Sequence, residues 1–309
     1  MAAVGSVGFI GLGNMGGPLA ERFLKAGTDL TVCDINPNNV APFREGGAAV
    51  ARTPREVADR ATVVFSCMPT TDIAVEVALG ADGIAHGKAV KVYIDTATIG
   101  IDIARRIAAG LPKSIGFLDA PVSGGAPGAR AGTLSTMVSG PKPTFAIAEP
   151  YLKIMAKNVF HLGESAGQAQ MAKLINNHLS AAHRLATFEG LVLALKAGID
   201  LKVLVDVINV SSGRSYTTTD KIPEAILSGT FKFNGRLALS IKDQTLLRQE
   251  ADRLGVPLWV APSLLKTLKD AAAAGYLDQD SMLLIQYMGE QSGIDVRAMI
   301  QGKKKTDAS

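Results

Sequence analysis

The chain has 309 residues, of which 47% are hydrophobic and 19% are charged, and its formal net charge is +4. This composition excludes wholesale disorder, and the length predicts about two domains. The small charge excludes a nucleic-acid-binding footprint, and no apolar run is long enough to span a membrane. The two cysteines form no disulfide framework, which predicts a cytoplasmic protein. The four histidines are scattered, which predicts no metal site. The N-terminus has no basic segment, which predicts no signal peptide.

The first half of the chain alternates short apolar runs with helix-forming segments. Strands are predicted at 6–10, 29–33, 62–66, 90–94, 115–118, 134–139 and 158–162, and helices at 15–26, 37–45, 71–79, 101–109 and 142–155. Because alternating strands and helices build βαβ units, this half predicts a doubly wound, mostly parallel α/β domain over residues 1–163.

After residue 163 the pattern becomes helical. No proline occurs from 166 to 197, and Ser165 and Gln168 fit a capping box at the start of this stretch. A helix of that length, about 45 Å, would link two domains. Further helices are predicted at 201–210, 221–228, 236–254, 261–274 and 279–289, so residues 164–309 are expected to form an all-helical domain that ends in a short basic run at 303–305.

A glycine-rich turn follows the first predicted strand and opens the first helix. Its G-x-G-x-x-G pattern consists of Gly11, Leu12, Gly13, Asn14, Met15 and Gly16. In that position the pattern is typical of a Rossmann-type turn, in which the backbone and the helix N-terminus bind a pyrophosphate. The alternative is a turn that binds no ligand.

Residues at the ends of the next strands would complete a dinucleotide site. Asp34 ends the second strand, where an acid accepts hydrogen bonds from the adenosine ribose and repels a 2′-phosphate, which predicts NAD rather than NADP. Asp34 could instead only cap the next helix. Met68-Pro69 and Asp95–Thr98 follow the third and fourth strands and should face the same crevice, although each could be a simple turn.

Two further segments carry groups suited to a small acid substrate. The loop 119–125 contains Ser123, Gly124 and Gly125, whose N–H groups and hydroxyl suit a carboxylate, although a flexible connector fits its composition equally well. Lys173 and Asn177 are four residues apart on the long helix and could share proton transfer and substrate orientation. The alternative is a solvated polar stripe.

In this order, the motifs resemble those of the β-hydroxyacid dehydrogenases, the group of 3-hydroxyisobutyrate dehydrogenase. The resemblance covers nearly the whole chain. It rests on the glycine turn with its methionine, on the 119–125 loop continuing into Gly128 and 132–134, on Lys173 with Asn176-Asn177, and on Lys242-Asp243. One departure is Ala169, where the family commonly has glycine, and its methyl group could narrow the approach of the helix to the cofactor.

The resemblance implies a Rossmann-type domain plus a helical domain, with the site in the cleft between them. It implies Lys173 as the catalytic acid/base, Ser123, Gly124 and Gly125 as carboxylate ligands, and Asn177, with Asn176 beside it, as the group that orients the substrate. Thr98 and Lys242 would approach the cofactor. The family also implies a homo-oligomer.

The resulting hypothesis is an NAD-dependent oxidoreductase that acts on a short 3-hydroxy acid. Alternatives are a semialdehyde reductase of the tartronate semialdehyde type, a decarboxylating enzyme of the 6-phosphogluconate type, and a catalytically silent nucleotide-binding module. Lys173 argues against the silent module and against the related imine reductases, which lack that lysine.

Arg214 is a candidate for binding the far end of the substrate. It lies in a Ser-Gly-Arg-Ser segment after a predicted helix, and the segment resembles that of relatives acting on the dicarboxylate 2-(hydroxymethyl)glutarate. Its guanidinium could therefore bind a second anionic group of the substrate. The alternative is a solvent-exposed loop arginine.

Overall fold

A computed structural model describes residues 5–306, with side chains described through residue 301. Outside this range lie residues 1–4, on which the expectation of no signal peptide falls. The side chains of the basic run at 303–305 also lie outside it. The chain divides into two compact units, Met1–Lys173 and Leu174–Ser309. Among the described residues no helix is long and apolar enough to cross a bilayer.

In the described residues, the first unit is built on a nine-stranded sheet. The strands are β1 (Val7–Ile10), β2 (Leu30–Cys33), β3 (Ala49–Val50), β4 (Val63–Ser66), β5 (Val92–Asp95), β6 (Gly116–Asp119), β7 (Val122–Ser123), β8 (Ser135–Ser139) and β9 (Asn158–Gly163). Their order is β3-β2-β1-β4-β5-β6-β8-β7, with β9 beside β8. Strands β1 to β6 are parallel, and β8 is antiparallel to β6 and β7. This confirms the predicted doubly wound sheet.

Helices cover both faces of the sheet. They are α1 (Gly16–Lys25), α2 (Pro37–Glu45), α3 (Pro54–Ala58), α4 (Thr71–Leu79), α5 (Ile101–Gly110), α6 (Gly125–Ala131) and α7 (Lys142–Met155). Strands β1, β2, β4 and β5 are buried at every position, as the central strands of a parallel sheet must be. Phe9, Phe23 and Phe65 pack together on one face, and Tyr93 and Phe117 pack on the other.

The long helix α8 (Gln168–Lys196) has the predicted extent, and the division between the two units falls within it. The side chain of Gln168 accepts a hydrogen bond from the N–H of Ser165 at 3.0 Å, which is one half of the predicted capping box.

The second unit is helical in its described residues, as predicted. After α8 come α9 (Leu201–Asn209), α10 (Leu237–Leu254), α11 (Ala261–Ala271), α12 (Leu284–Gln291) and α13 (Val296–Thr306). The segment predicted as a helix at 221–228 is instead a wide π-type helix over Thr217–Leu227 that contains Pro223. The segment predicted at 261–274 changes after Ala271 into a π-type turn, which Gly275 interrupts with a φ of +96°.

Candidate active site

The glycine turn has the backbone geometry that its pattern predicts. Gly11 has a φ of +86°, and a Cβ on Gly16 would lie 1.8 Å from the carbonyl oxygen of Gly11. By contrast, a Cβ on Gly13 would meet no protein atom within 4 Å. Helix α1 begins without a side-chain cap and without an acidic residue in its first turn. The N-terminal N–H groups and the open face at Gly13 therefore suit a close approach by a phosphate anion.

Substitutions at Gly13 and Gly16 should separate these two roles. Gly16→Ala is expected to reduce the free energy of unfolding by about 1–3 kcal/mol, because the new methyl group overlaps backbone. Gly13→Ala should leave stability unchanged and weaken dinucleotide binding by at least about tenfold, or about 1.4 kcal/mol. Urea denaturation and a cofactor titration check both. Unchanged cofactor affinity in Gly13→Ala would show that the turn does not bind the dinucleotide closely.

Asp34 is fixed to the glycine turn. Its Oδ2 accepts a hydrogen bond from the N–H of Leu12 at 2.6 Å, and its Oδ1 accepts one from the N–H of Asn36 at 2.7 Å. Helix α2 is capped by Asn36, whose side chain accepts from the N–H of Asn38. Asp34 is therefore not the helix cap that the alternative interpretation required, and its carboxylate lies beside the glycine turn.

The ends of β4 and β5 contribute the other predicted cofactor residues. The Met68 side chain lies over the glycine turn, since its Cε is 2.2 Å from the position that a Cβ on Gly11 would take. Pro69 is exposed, and Thr98 is half-buried in the segment between β5 and α5. The Gln170 side chain holds that segment, because its Oε1 accepts from the N–H groups of Ile99 and Gly100 at 3.0 and 3.1 Å.

A buried polar cluster lies at the ends of the same two strands. Asp95 Oδ1 accepts from the N–H of Ala97 at 2.9 Å, and Oδ2 accepts from the hydroxyls of Ser66 and Tyr93 at 2.9 and 3.3 Å. Burial nevertheless raises the pKa of Asp95 from 3.8 to about 6. Ionising this carboxyl group is therefore less favourable in the folded chain than in the unfolded chain.

The Asp95 carboxylate should make stability depend on pH. Because its folded pKa lies above its unfolded value, the folded state binds the extra proton between these two pKa values, and stability should fall by about 2 kcal/mol as pH rises from about 4 to about 7. Asp95→Asn keeps an acceptor for Ala97 and cannot titrate. The difference in free energy of unfolding between wild type and variant should change by that amount over the range, and a constant difference would contradict this pKa.

Asp119 and Ser139 fix the start of α8. Asp119 is fully buried, and its Oδ1 accepts from the Ser139 hydroxyl at 2.6 Å and from the N–H of Gly167 at 3.0 Å. Its Oδ2 accepts from the N–H of Gln170 at 3.1 Å, and Ser139 Oγ accepts from the N–H of Ala169 at 2.9 Å. The methyl group of Ala169, the departure from the family pattern, is accommodated in the interior of this unit.

The predicted carboxylate loop is a tight turn between β7 and α6. Ser123 is the last residue of β7, and Gly124 and Gly125 have φ values of +124° and +64°, which favour glycine. Helix α6 starts here without a side-chain cap or an acidic first turn. Both glycines are exposed, so their backbone is accessible to a ligand.

Lys173 lies about one turn into α8 and is only 8% exposed. This burial contradicts the alternative of a solvated polar stripe. Further along α8, Asn177 Nδ2 donates to Asp243 Oδ2 at 2.7 Å, and Asn176 Nδ2 donates to Asn177 Oδ1 at 3.3 Å. The amide of Asn177 therefore has a fixed orientation.

Two predicted residues of the helical unit have different surroundings. Lys242 Nζ lies 3.4 Å from Asp243 Oδ1, which joins it to the Asn177 cluster. Arg214 is exposed between α9 and the π-type helix. The proposed anion-binding role of Arg214 stays a prediction without support from its surroundings in this unit.

Comparison with known proteins identifies the family of the chain. Residues 6–163 match the model for the NAD-binding domain of 6-phosphogluconate dehydrogenase, and residues 167–288 match the model described as NAD-binding of NADP-dependent 3-hydroxyisobutyrate dehydrogenase. The mitochondrial 3-hydroxyisobutyrate dehydrogenase of Mus musculus is 35% identical over 299 residues, which cover 94% of this chain and 89% of that protein. The chain belongs to the β-hydroxyacid dehydrogenase family.

Other relatives place the chain within this family. The 2-(hydroxymethyl)glutarate dehydrogenase of Eubacterium barkeri is 31% identical over 94% of this chain and 97% of its own length. The crystal structure of a 3-hydroxyisobutyrate dehydrogenase from Salmonella typhimurium has a TM-score of 0.82 at 30% identity, covering 92% of this chain and 99% of that one. An imine reductase from Pseudomonas sp., 22% identical with a TM-score of 0.61, shares the fold alone. The protein is thus a hydroxyacid dehydrogenase with a nicotinamide dinucleotide-binding domain.

Proposed function

We propose that this dehydrogenase oxidises a short 3-hydroxy acid, of the 3-hydroxyisobutyrate or 2-(hydroxymethyl)glutarate kind, with NAD as cofactor and Lys173 as acid/base. The observation that carries the proposal is the burial of Lys173 on a helix whose first turn is fixed by Asp119. The names of the relatives support the substrate class.

The residues have distinct roles in this reaction. The N–H groups at Gly124 and Gly125 and the Ser123 hydroxyl bind the substrate carboxylate. The Asn177 amide, held by Asp243, orients the substrate hydroxyl. The neutral amine of Lys173 accepts the hydroxyl proton as the carbinol C–H bond breaks, and returns it in the reverse direction. The bound nicotinamide supplies the hydride acceptor at its C4.

The cofactor residues proposed from the sequence fit this role. The glycine turn, Gly11 to Gly16, binds the pyrophosphate, and Asp34 accepts hydrogen bonds from the adenosine ribose. Met68 and Pro69 lie at the adjoining strand end, and Gln170 fixes the Thr98 segment. Lys242 stays a candidate on the helical unit.

Asp34 should determine the choice between NAD and NADP. The carboxylate repels a 2′-phosphate, so the wild type should prefer NAD. Asp34→Asn removes the charge and keeps an acceptor for the N–H of Leu12, so the ratio of kcat/KM with NADP to kcat/KM with NAD should rise by about tenfold. Steady-state kinetics with both cofactors measure the ratio. A wild-type enzyme that is as efficient with NADP would refute this assignment.

We also propose a cytoplasmic homo-oligomer. Helix α9 exposes Val203, Val207 and, at its end, Val210, which recur at helical spacing. Such a stripe on a helical unit suits burial against a second copy of the chain.

A further inference from the structure

The helical unit contains a polar cavity of about 160 Å³, and its wall includes a buried arginine, Arg184, that has no role in the proposed mechanism. It is lined by α8, α10, the π-type helix and the segments around residues 235 and 281. The polar residues on its wall include Asn177, Arg184, Lys221, Ser240, Asp243 and Ser281. A cavity of this volume accommodates a small group such as a carboxylate with the carbon that carries it.

Arg184 is a buried cation on this wall and is only 5% exposed. Its guanidinium donates to the hydroxyls of Ser281 and Ser240 at 3.0 Å each, and its Nε has no hydrogen-bond partner among the described residues. Burial lowers its pKa from 12.5 to about 10, and Asp280 opposes that shift, so the side chain is charged at neutral pH. Among residues with described side chains, no carboxylate lies within 4.0 Å of it.

Other groups on the wall add positive charge. Lys221 Nζ donates to Ser180 Oγ at 2.9 Å and lies 5.6 Å from the centroid of the Phe233 ring. Of the residues that line the cavity, Asp243 alone carries a carboxylate. That carboxylate accepts from Asn177 and lies 3.4 Å from Lys242. The cavity therefore presents an excess of positive charge. Because the hydrogen-bond partners of the buried Arg184 guanidinium are neutral hydroxyl groups, this site favours an anionic ligand.

We propose that this cavity binds a second carboxylate of the substrate, with Arg184 as the specificity-determining residue. The proposal rests on the proposed function through Asn177, since a substrate oriented by Asn177 lies at the wall of the cavity. It assigns to Arg184 the role that the sequence suggested for Arg214, which is exposed and does not line the cavity. The substrate class is then a 3-hydroxy acid with a carboxylate at its far end.

The test compares a dicarboxylate with a monocarboxylate. The wild type should have a much lower KM for 2-(hydroxymethyl)glutarate than for 3-hydroxyisobutyrate. Arg184→Met should raise the KM for the dicarboxylate by about 30- to 1,000-fold and change that for the monocarboxylate by less than about threefold. Arg248→Met, at an exposed arginine of α10 with an ion pair of 3.8 Å, is the matched control and should change neither.

A direct measurement of glutarate binding does not depend on turnover, and a second variant, Lys221→Met, guards against misfolding of the first. Calorimetry should show glutarate binding to the wild type, weaker binding to Arg184→Met and to Lys221→Met, and binding close to wild type in Arg248→Met. Inorganic phosphate is the second probe, and phosphate binding without glutarate binding would overturn the assignment to a carboxylate.

The outcomes separate this proposal from the proposed function. If 3-hydroxyisobutyrate is oxidised efficiently but neither the dicarboxylate preference nor glutarate binding depends on Arg184, the cavity proposal is overturned and the proposed function stands. If no hydroxy acid is oxidised, the proposed function fails. Glutarate binding that is lost in Arg184→Met would in that case still support the anion site.

Discussion

Lys173→Ala should lower kcat for hydroxy acid oxidation by about 10²–10⁴-fold, the range that general acid–base groups contribute. Cofactor affinity should change little, because the lysine is assigned to proton transfer and not to dinucleotide binding. The rate of oxidation should also increase with pH in the wild type, because only the neutral amine can accept the proton. Steady-state kinetics over a pH series, with a separate cofactor titration, measure both effects.

A chemical rescue distinguishes catalysis from structure at this position. A small primary amine added to Lys173→Ala should restore part of kcat, because it replaces the missing proton acceptor in the space left by the side chain. Lys269→Ala, at an exposed lysine of α11, is the control and should keep wild-type kinetics. An active Lys173→Ala enzyme with an unaltered pH profile would show that another group moves the proton.

Asp119→Ala should destabilise the α/β unit by about 3–5 kcal/mol. The substitution leaves the N–H groups of Gly167 and Gln170 and the hydroxyl of Ser139 without their acceptor, and each unsatisfied buried group costs about 1–3 kcal/mol. Asp119→Asn keeps one acceptor oxygen and should cost less. Urea denaturation gives the size of the effect, and hydrogen exchange at Gly167 and Gln170 shows whether it is local to the start of α8.

The same substitution should also reduce kcat, because the first turn of α8 positions Lys173. Asp102→Ala is the control, since Asp102 is an exposed acid in the first turn of α5, where the loss should stay within about 1 kcal/mol. A loss of stability in Asp119→Ala no larger than in Asp102→Ala would mean that Asp119 does not fix the helix.

The elements of the fold that have a local sequence pattern, such as an apolar run or a helix cap, could be predicted from the sequence. The buried strands of the parallel sheet are continuous apolar runs, and α8 has a capping pair and no proline. Four short elements, β3, β7, α3 and α6, were missed, and so was the last helix, α13. For α3, Thr53 before Pro54 and Glu56 was a usable capping pattern, but α6 is rich in glycine and proline and has no helical pattern to detect.

The residues of the candidate site also fall into two groups, those that the sequence could identify and those that it could not. The glycine turn and Asp34 carry a spacing that reflects their chemistry, so they could be identified. Gln170 and Arg184 could not, because their importance comes from contacts with residues about 70 and 97 positions away, and both look like ordinary polar residues of a long helix. Asp119 belongs to the 119–125 loop that the sequence singled out. Its hydrogen bonds to the N–H groups of Gly167 and Gln170 at the start of α8 depend on tertiary structure, so they could not be predicted.

Transfer of deuterium from substrate to cofactor tests the proposed function most directly. The substrate is 3-hydroxyisobutyrate labelled with deuterium on its carbinol carbon, and the products with NAD are analysed by NMR and mass spectrometry. The proposed function predicts deuterium at C4 of the reduced nicotinamide in the wild type, formed far more slowly by Lys173→Ala. Deuterium released to solvent, or no reduced cofactor with this or any other 3-hydroxy acid, would contradict it.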